Sequence, residues 1–73
     1  VPKYQVISGK VIEVDTTNKY LKLDITPGGF FGPTLRTYSY GIEIDDNWII
    51  SKLDKIVKFL LKDGIVIKEI ESS

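Results

Sequence analysis

Apolar and polar positions along this chain keep strand period for most of its length, and one stretch near the C-terminal third departs from it. From Tyr4 to Val14, Tyr4 and Val6 share one face, Ile7 and Val11 the other, and Ile12 and Val14 return to the first. Gly9 sits where the change of face is expected, as a glycine inside a strand often marks a bulge or a sharp coil. Asp15 to Lys19 supplies the chemistry of a turn. A second strand follows in clean alternation, with Leu21, Leu23 and Ile25 inward and Tyr20, Lys22 and Asp24 outward, so the two segments read as a hairpin. Between Thr26 and Pro33, Pro27, Gly28, Gly29, Gly32 and Pro33 rule out regular structure. Phe30 and Phe31 are therefore placed by a turn. A third strand is expected from Leu35 to about Ile44, with Tyr38, Tyr40, Ile42 and Ile44 on one face.

The departure lies after that strand. Ile49, Ile50, Leu53, Ile56, Val57, Leu60 and Leu61 recur at helical spacing, with Lys55, Lys58 and Lys62 opposite. The pattern predicts one amphipathic helix over about 47–63. Asp45, Asp46 and Asn47 are all competent N-caps, and Gly64 can take the left-handed position that ends a helix. Ser51 with Asp54 loosely resembles a capping box, which would leave Trp48 to Ile50 as a short strand. The longer helix is preferred because Ile49 and Ile50 continue its stripe without a phase error. Ile65 to Ile70 reads as a last strand, with 71–73 fraying.

The expected fold is a single α+β domain over residues 1–73, in the order β-β-β-α-β. Its sheet is a small, mainly antiparallel, four-stranded one, or a partly open barrel. With a coiled, glycine-containing first strand and a helix between strands three and four, the order resembles an OB-fold barrel lacking its last strand. An open antiparallel sheet with the helix across one face fits the same order. The resemblance spans the whole chain and rests on element order, without a diagnostic motif. It implies that aromatic side chains on a sheet face, with cations nearby, could stack unpaired bases.

Composition narrows the chemistry. There is no cysteine, so no disulfide supports a domain near the lower size limit for unaided folding, and a 42% apolar content must do so. The chain also lacks histidine, which with the missing cysteine removes the commonest general base, the strongest nucleophile and the usual zinc ligands. No catalysis, cofactor, structural metal or small-molecule substrate is expected. Asp45 and Asp46 could hold a divalent cation, but helix capping is the stronger reading. The Gly28, Gly29 and Gly32 loop lacks the lysine and Ser/Thr of a phosphate cradle. Ten basic and ten acidic residues cancel, which argues against avid binding to nucleic acid or an acidic membrane. No apolar run approaches membrane-span length and no signal-peptide pattern is evident, so the expected location is cytoplasmic. Absence of alanine, a single arginine and heavy use of Ile and Lys suggest an AT-rich genome, and scarce Asn and Gln are consistent with a heat-adapted source.

Two surfaces could bind. On the helical wheel Trp48 and Phe59 line up away from the core stripe, with Lys52 and Lys55 around them. Such a second apolar line meets either another part of the chain or another molecule. The favoured function is a non-catalytic interaction module that uses this patch for protein contacts, including contacts with its own copy. The alternative is an OB-like barrel for single-stranded DNA or RNA, using Phe30, Phe31, Arg36, Tyr38 and Tyr40. Against it stands the simpler role of Tyr38 and Tyr40 as core residues on the face shared with Ile42 and Ile44.

Overall fold

The computed structural model describes residues 1–71, so the fraying expected at residues 72 and 73 lies outside the described residues. The chain forms β1 (Tyr4–Asp15), β2 (Tyr20–Asp24), β3 (Leu35–Tyr40), α1 (Asp46–Ile50), β4 (Ile56–Lys62) and β5 (Ile65–Glu69). This is a five-stranded mixed sheet with one short helix, where four strands and a long helix were expected. The strands run in the order β1-β2-β3-β5-β4, and β4 pairs back on β1 to close a ring. Each pair is antiparallel except β3 with β5, which meet in parallel through Ser39↔Ile65 and Tyr40↔Val66 alone. The ring is therefore unevenly closed.

The helix over 47–63 is the principal correction. Asp45 does cap it, its carboxylate accepting the Trp48 N–H at 2.9 Å. The helix nevertheless stops at Ile50, the chain turns, and Ile56–Lys62 is a strand. That stretch satisfies both periods, and strand spacing turns Val57, Phe59 and Leu61 inward. The turn after it decides the matter. Asp63 and Gly64 take φ of 53° and 83°, the pair of positive values that a tight type I′ hairpin turn requires. They join Lys62 to Ile65 across the β4–β5 ladder. Gly64 thus serves a hairpin and does not end a helix.

Two smaller corrections concern β1 and β3. The register shift in β1 falls between Val11 and Glu13, so the face changes at Ile12 and not at Gly9. Gly9 instead marks a close crossing, since a Cβ there would stand 2.6 Å from the Asp24 carbonyl oxygen. β3 ends at Tyr40, which leaves Ile42 92% exposed in the following turn, whereas Ile44 re-enters the core. The core itself gathers Ile7, Val11, Leu21, Leu23, Val57, Phe59, Leu61 and Val66 from the ring, closed at one end by Ile44 and Ile49.

One polar cluster ties the β1–β2 turn, β3 and α1 together. Asp46 accepts the Lys19 ammonium at 2.7 Å and the Tyr40 hydroxyl at 2.8 Å. The Lys19 hydrogen bond, with that of Tyr40, lowers the Asp46 carboxyl below its usual 3.8. Burial, reinforced by the hydrogen bond to Asp46, pushes the Tyr40 phenol up to about 12. Both shifts have a stability consequence. The Asp46 contribution is complete above the unfolded value near 3.8 and is lost as pH falls through the lower folded value. The Tyr40 contribution is complete below the unfolded value of 10.0 and is lost as pH rises through the folded value of about 12. Melting temperature measured against pH should show Asp46→Asn approaching wild type at the acid end. It should also show Tyr40→Phe losing less stability than wild type between pH 10 and 12. Parallel curves for variant and wild type would detach these groups from the fold's stability.

Candidate functional site

Among the described residues, the connection between β2 and β3 carries the most exposed large hydrophobic side chains after the N-terminal Val1. Its base is tightly fixed. Asp24, buried at the end of β2, accepts the Thr26 and Thr34 backbone N–H groups at 3.0 and 3.1 Å through one oxygen. Ile25 N–H donates to the Thr34 carbonyl at 2.9 Å, and the Thr26 and Thr34 hydroxyls lie 3.1 Å apart. Within the loop, Gly29 N–H reaches the Thr26 carbonyl and Gly32 N–H the Gly29 carbonyl. Gly28 and Gly32 have positive φ, so the turn relies on residues without a side chain at those points. Beyond this clasp the two rings stand free. Phe30 and Phe31 are 95% and 96% exposed and meet edge to face, centroids 5.2 Å apart.

The strands that carry the loop add polar and cationic groups. On the outer face Lys10, Asp24 and Leu35 form one row across β1, β2 and β3, and Glu13, Lys22 and Thr37 the next. Lys22 is within 3.7 Å of Glu13, whereas Lys10 and Arg36 take part in no ion pair among the described residues. Arg36 is exposed on the strand that the loop leads into. A neutral chain thus still presents cations beside its aromatic loop.

The residues expected to act together divide sharply. Tyr40 is buried and Tyr38 half-buried against the core, so the simpler role assigned to these tyrosines holds for both. Phe30, Phe31 and Arg36 remain at the surface. The Trp48–Phe59 patch does not form an outer surface. Phe59 is fully buried inside the ring, and Trp48 on α1 packs against it at 6.4 Å between centroids. The physical reason is the strand period of β4, which reverses the side that a helix would have given Phe59. Lys52 lies over the Trp48 ring at 5.1 Å and pairs with Glu69 at 3.0 Å, while Lys55 is exposed. These contacts seal the end of the core.

An open groove of about 590 Å³ adjoins the Lys52–Glu69 pair, between Ser8, Lys52, Ile56, Lys58 and the segment Glu69–Glu71. Its lysines and glutamates are mixed, so it favours neither sign of ligand. Among the described residues no group of three or more Asp or Glu side chains is placed to hold a metal ion. Asp45 and Asp46 are each committed, one to the Trp48 N–H and the other to Lys19 and Tyr40. No helix of the described residues is long and apolar enough to cross a membrane.

The sequence matches no protein-family model, no curated protein and no solved structure in comparison with each.

Proposed function

We propose that this chain is a non-catalytic, OB-like barrel that binds single-stranded nucleic acid through the Phe30–Phe31 loop. The ring order β1-β2-β3-β5-β4, with its parallel β3–β5 closure and a helix between β3 and β4, supports the OB-like reading. The observation that carries the function is the exposed phenylalanine pair on a clasped loop. Folding gains nothing from leaving two large rings in water, whereas a splayed base gains about 1–3 kcal/mol by stacking on one. The fixed base of the loop lowers the ordering cost that binding would otherwise incur. Arg36 and Lys10 are the candidate phosphate or base-stacking partners. A sequence without histidine or cysteine, with Asp24, Asp45 and Asp46 engaged in structure, supports binding over catalysis.

Fluorescence anisotropy with labelled oligonucleotides tests this reading. Single strands should bind in preference to duplex, with a shallow salt slope of roughly one or two released counterions. Replacing both Phe30 and Phe31 by alanine should weaken binding at least tenfold, consistent with about 1–3 kcal/mol per stacked base, without lowering the melting temperature. Absence of single-strand binding in low salt, a preference for duplex, or an unaffected double variant would reject it.

A further inference from the structure

The closed ring has one long stretch of open edge. In the β1–β4 ladder, Val11 N–H donates to the Lys55 carbonyl and Asp63 N–H to the Lys3 carbonyl. The odd-numbered residues of β1 therefore direct their backbone groups at β4, and the even-numbered ones point the other way. On that other side β2 joins β1 only from Lys10, opposite Asp24, where β2 ends and the chain leaves for the 26–33 loop. The N–H and C=O groups of Tyr4, Val6 and Ser8 consequently have no protein partner among the described residues. Their side chains lie on the outer face, Tyr4 and Val6 more than half exposed.

Open edges of this kind are usually blunted by lysine, proline or a bulge. None is present here. The segment Tyr4–Gly9 reads Tyr-Gln-Val-Ile-Ser-Gly, without charge or proline, and the β1 bulge lies farther along at Ile12. We infer that this edge is a self-association site, at which β1 pairs antiparallel with β1 of a second copy about a two-fold axis through Val6. The register follows from which groups are unpaired. Val6 meets its own copy, Tyr4 meets Ser8 and Ser8 meets Tyr4, each pair exchanging two backbone hydrogen bonds. The same register confines the pairing to Tyr4–Ser8, because β2 and the chain that leaves it already lie beside Lys10 and Gly9. It also sets the large Tyr4 beside the small Ser8 and brings Val6, already next to Leu60 on β4, against an identical apolar strip. A copy of the chain fits because an uncharged edge gives an ionic partner nothing to select, while its own pattern of side-chain sizes is self-complementary.

Sedimentation velocity from micromolar to millimolar chain, with amide hydrogen exchange at both ends of that range, tests the inference. The wild type should pass from monomer to dimer, with the Tyr4, Val6 and Ser8 amides becoming protected as it does so. Val6→Lys, which sets two lysines together at the axis, should raise the dimer dissociation constant at least tenfold. Should that variant fold poorly by circular dichroism, the wild-type exchange pattern decides alone. A wild type that stays monomeric, a dimer that leaves those three amides unprotected, or a folded Val6→Lys that dimerises as before would each overturn it. So would a monomer whose edge takes up an unrelated strand peptide instead.

Discussion

Replacing Phe59 by alanine is expected to cost about 3–5 kcal/mol, the usual penalty for emptying a buried aromatic site. A domain of this size has roughly 4–11 kcal/mol of total stability at about 0.05–0.15 kcal/mol per residue, so the loss is a large part of the whole. Phe59 has no exposed surface, pairs across from Ile7 and packs under Trp48. Urea unfolding followed by the fluorescence of Trp48, the sole tryptophan, measures the effect directly. The midpoint should fall sharply, while Phe30→Ala and Phe31→Ala should each change stability by less than about 0.5 kcal/mol, as surface substitutions usually do. An unchanged midpoint for Phe59→Ala would place that ring outside the core and undo the assignment of β4.

Gly9→Ala is the second substitution with a large expected effect, and it acts at two levels. Its Cβ would meet the Asp24 carbonyl oxygen at 2.6 Å and the Ile25 Cα at 3.1 Å, both backbone atoms that no side-chain rotation can clear. β1 and β2 must separate locally, at a cost of about 1–3 kcal/mol or more for overpacking of this kind. Asp24 also clasps the 26–34 loop, so the same displacement loosens the mounting of Phe30 and Phe31. Thermal melting should show the first effect. Oligonucleotide anisotropy, at a temperature where the variant remains folded, should show weaker binding as the second. A variant with wild-type melting would mean that the crossing at Gly9 is looser than the 2.6 Å approach indicates.

Much of the sheet is legible in the sequence because alternation and local turn chemistry agree. Leu21 and Leu23 are buried as their spacing requires, Asp15 folds the first turn by accepting the Thr17 and Asn18 N–H groups, and Asp45 caps the helix. The segment Ile56–Lys62 is misleading for a physical reason. Ile56, Val57, Leu60 and Leu61 satisfy a helical stripe, while Val57, Phe59 and Leu61 satisfy a strand, and periodicity cannot choose between them. Two signals could have chosen. β-branched residues open the segment, and Asp63-Gly64 between apolar runs is a strong hairpin signature. Reading Gly64 as a helix end hid the fifth strand and turned Phe59 outward. The exposed Phe30–Phe31 loop follows from its own prolines and glycines. The bare edge at Tyr4, Val6 and Ser8 does not, because it depends on where β2 stops relative to β1.

The β1–β4 ladder also sets how the chain must fold. It joins Tyr4 to Lys62, so the strand formed by the first residues is completed by one near the other end. Local hairpins can form early, but the ring cannot close until that distant pairing has met its loop-closure entropy. Folding in milliseconds to seconds is therefore expected, on the slow side for so short a chain, as for other domains dominated by non-local strand pairs. During that interval β1 lacks its β4 neighbour, and its apolar N-terminal half is open on both sides. Refolding yield should fall as chain concentration rises, because the same uncharged segment can meet another molecule before it meets Lys62.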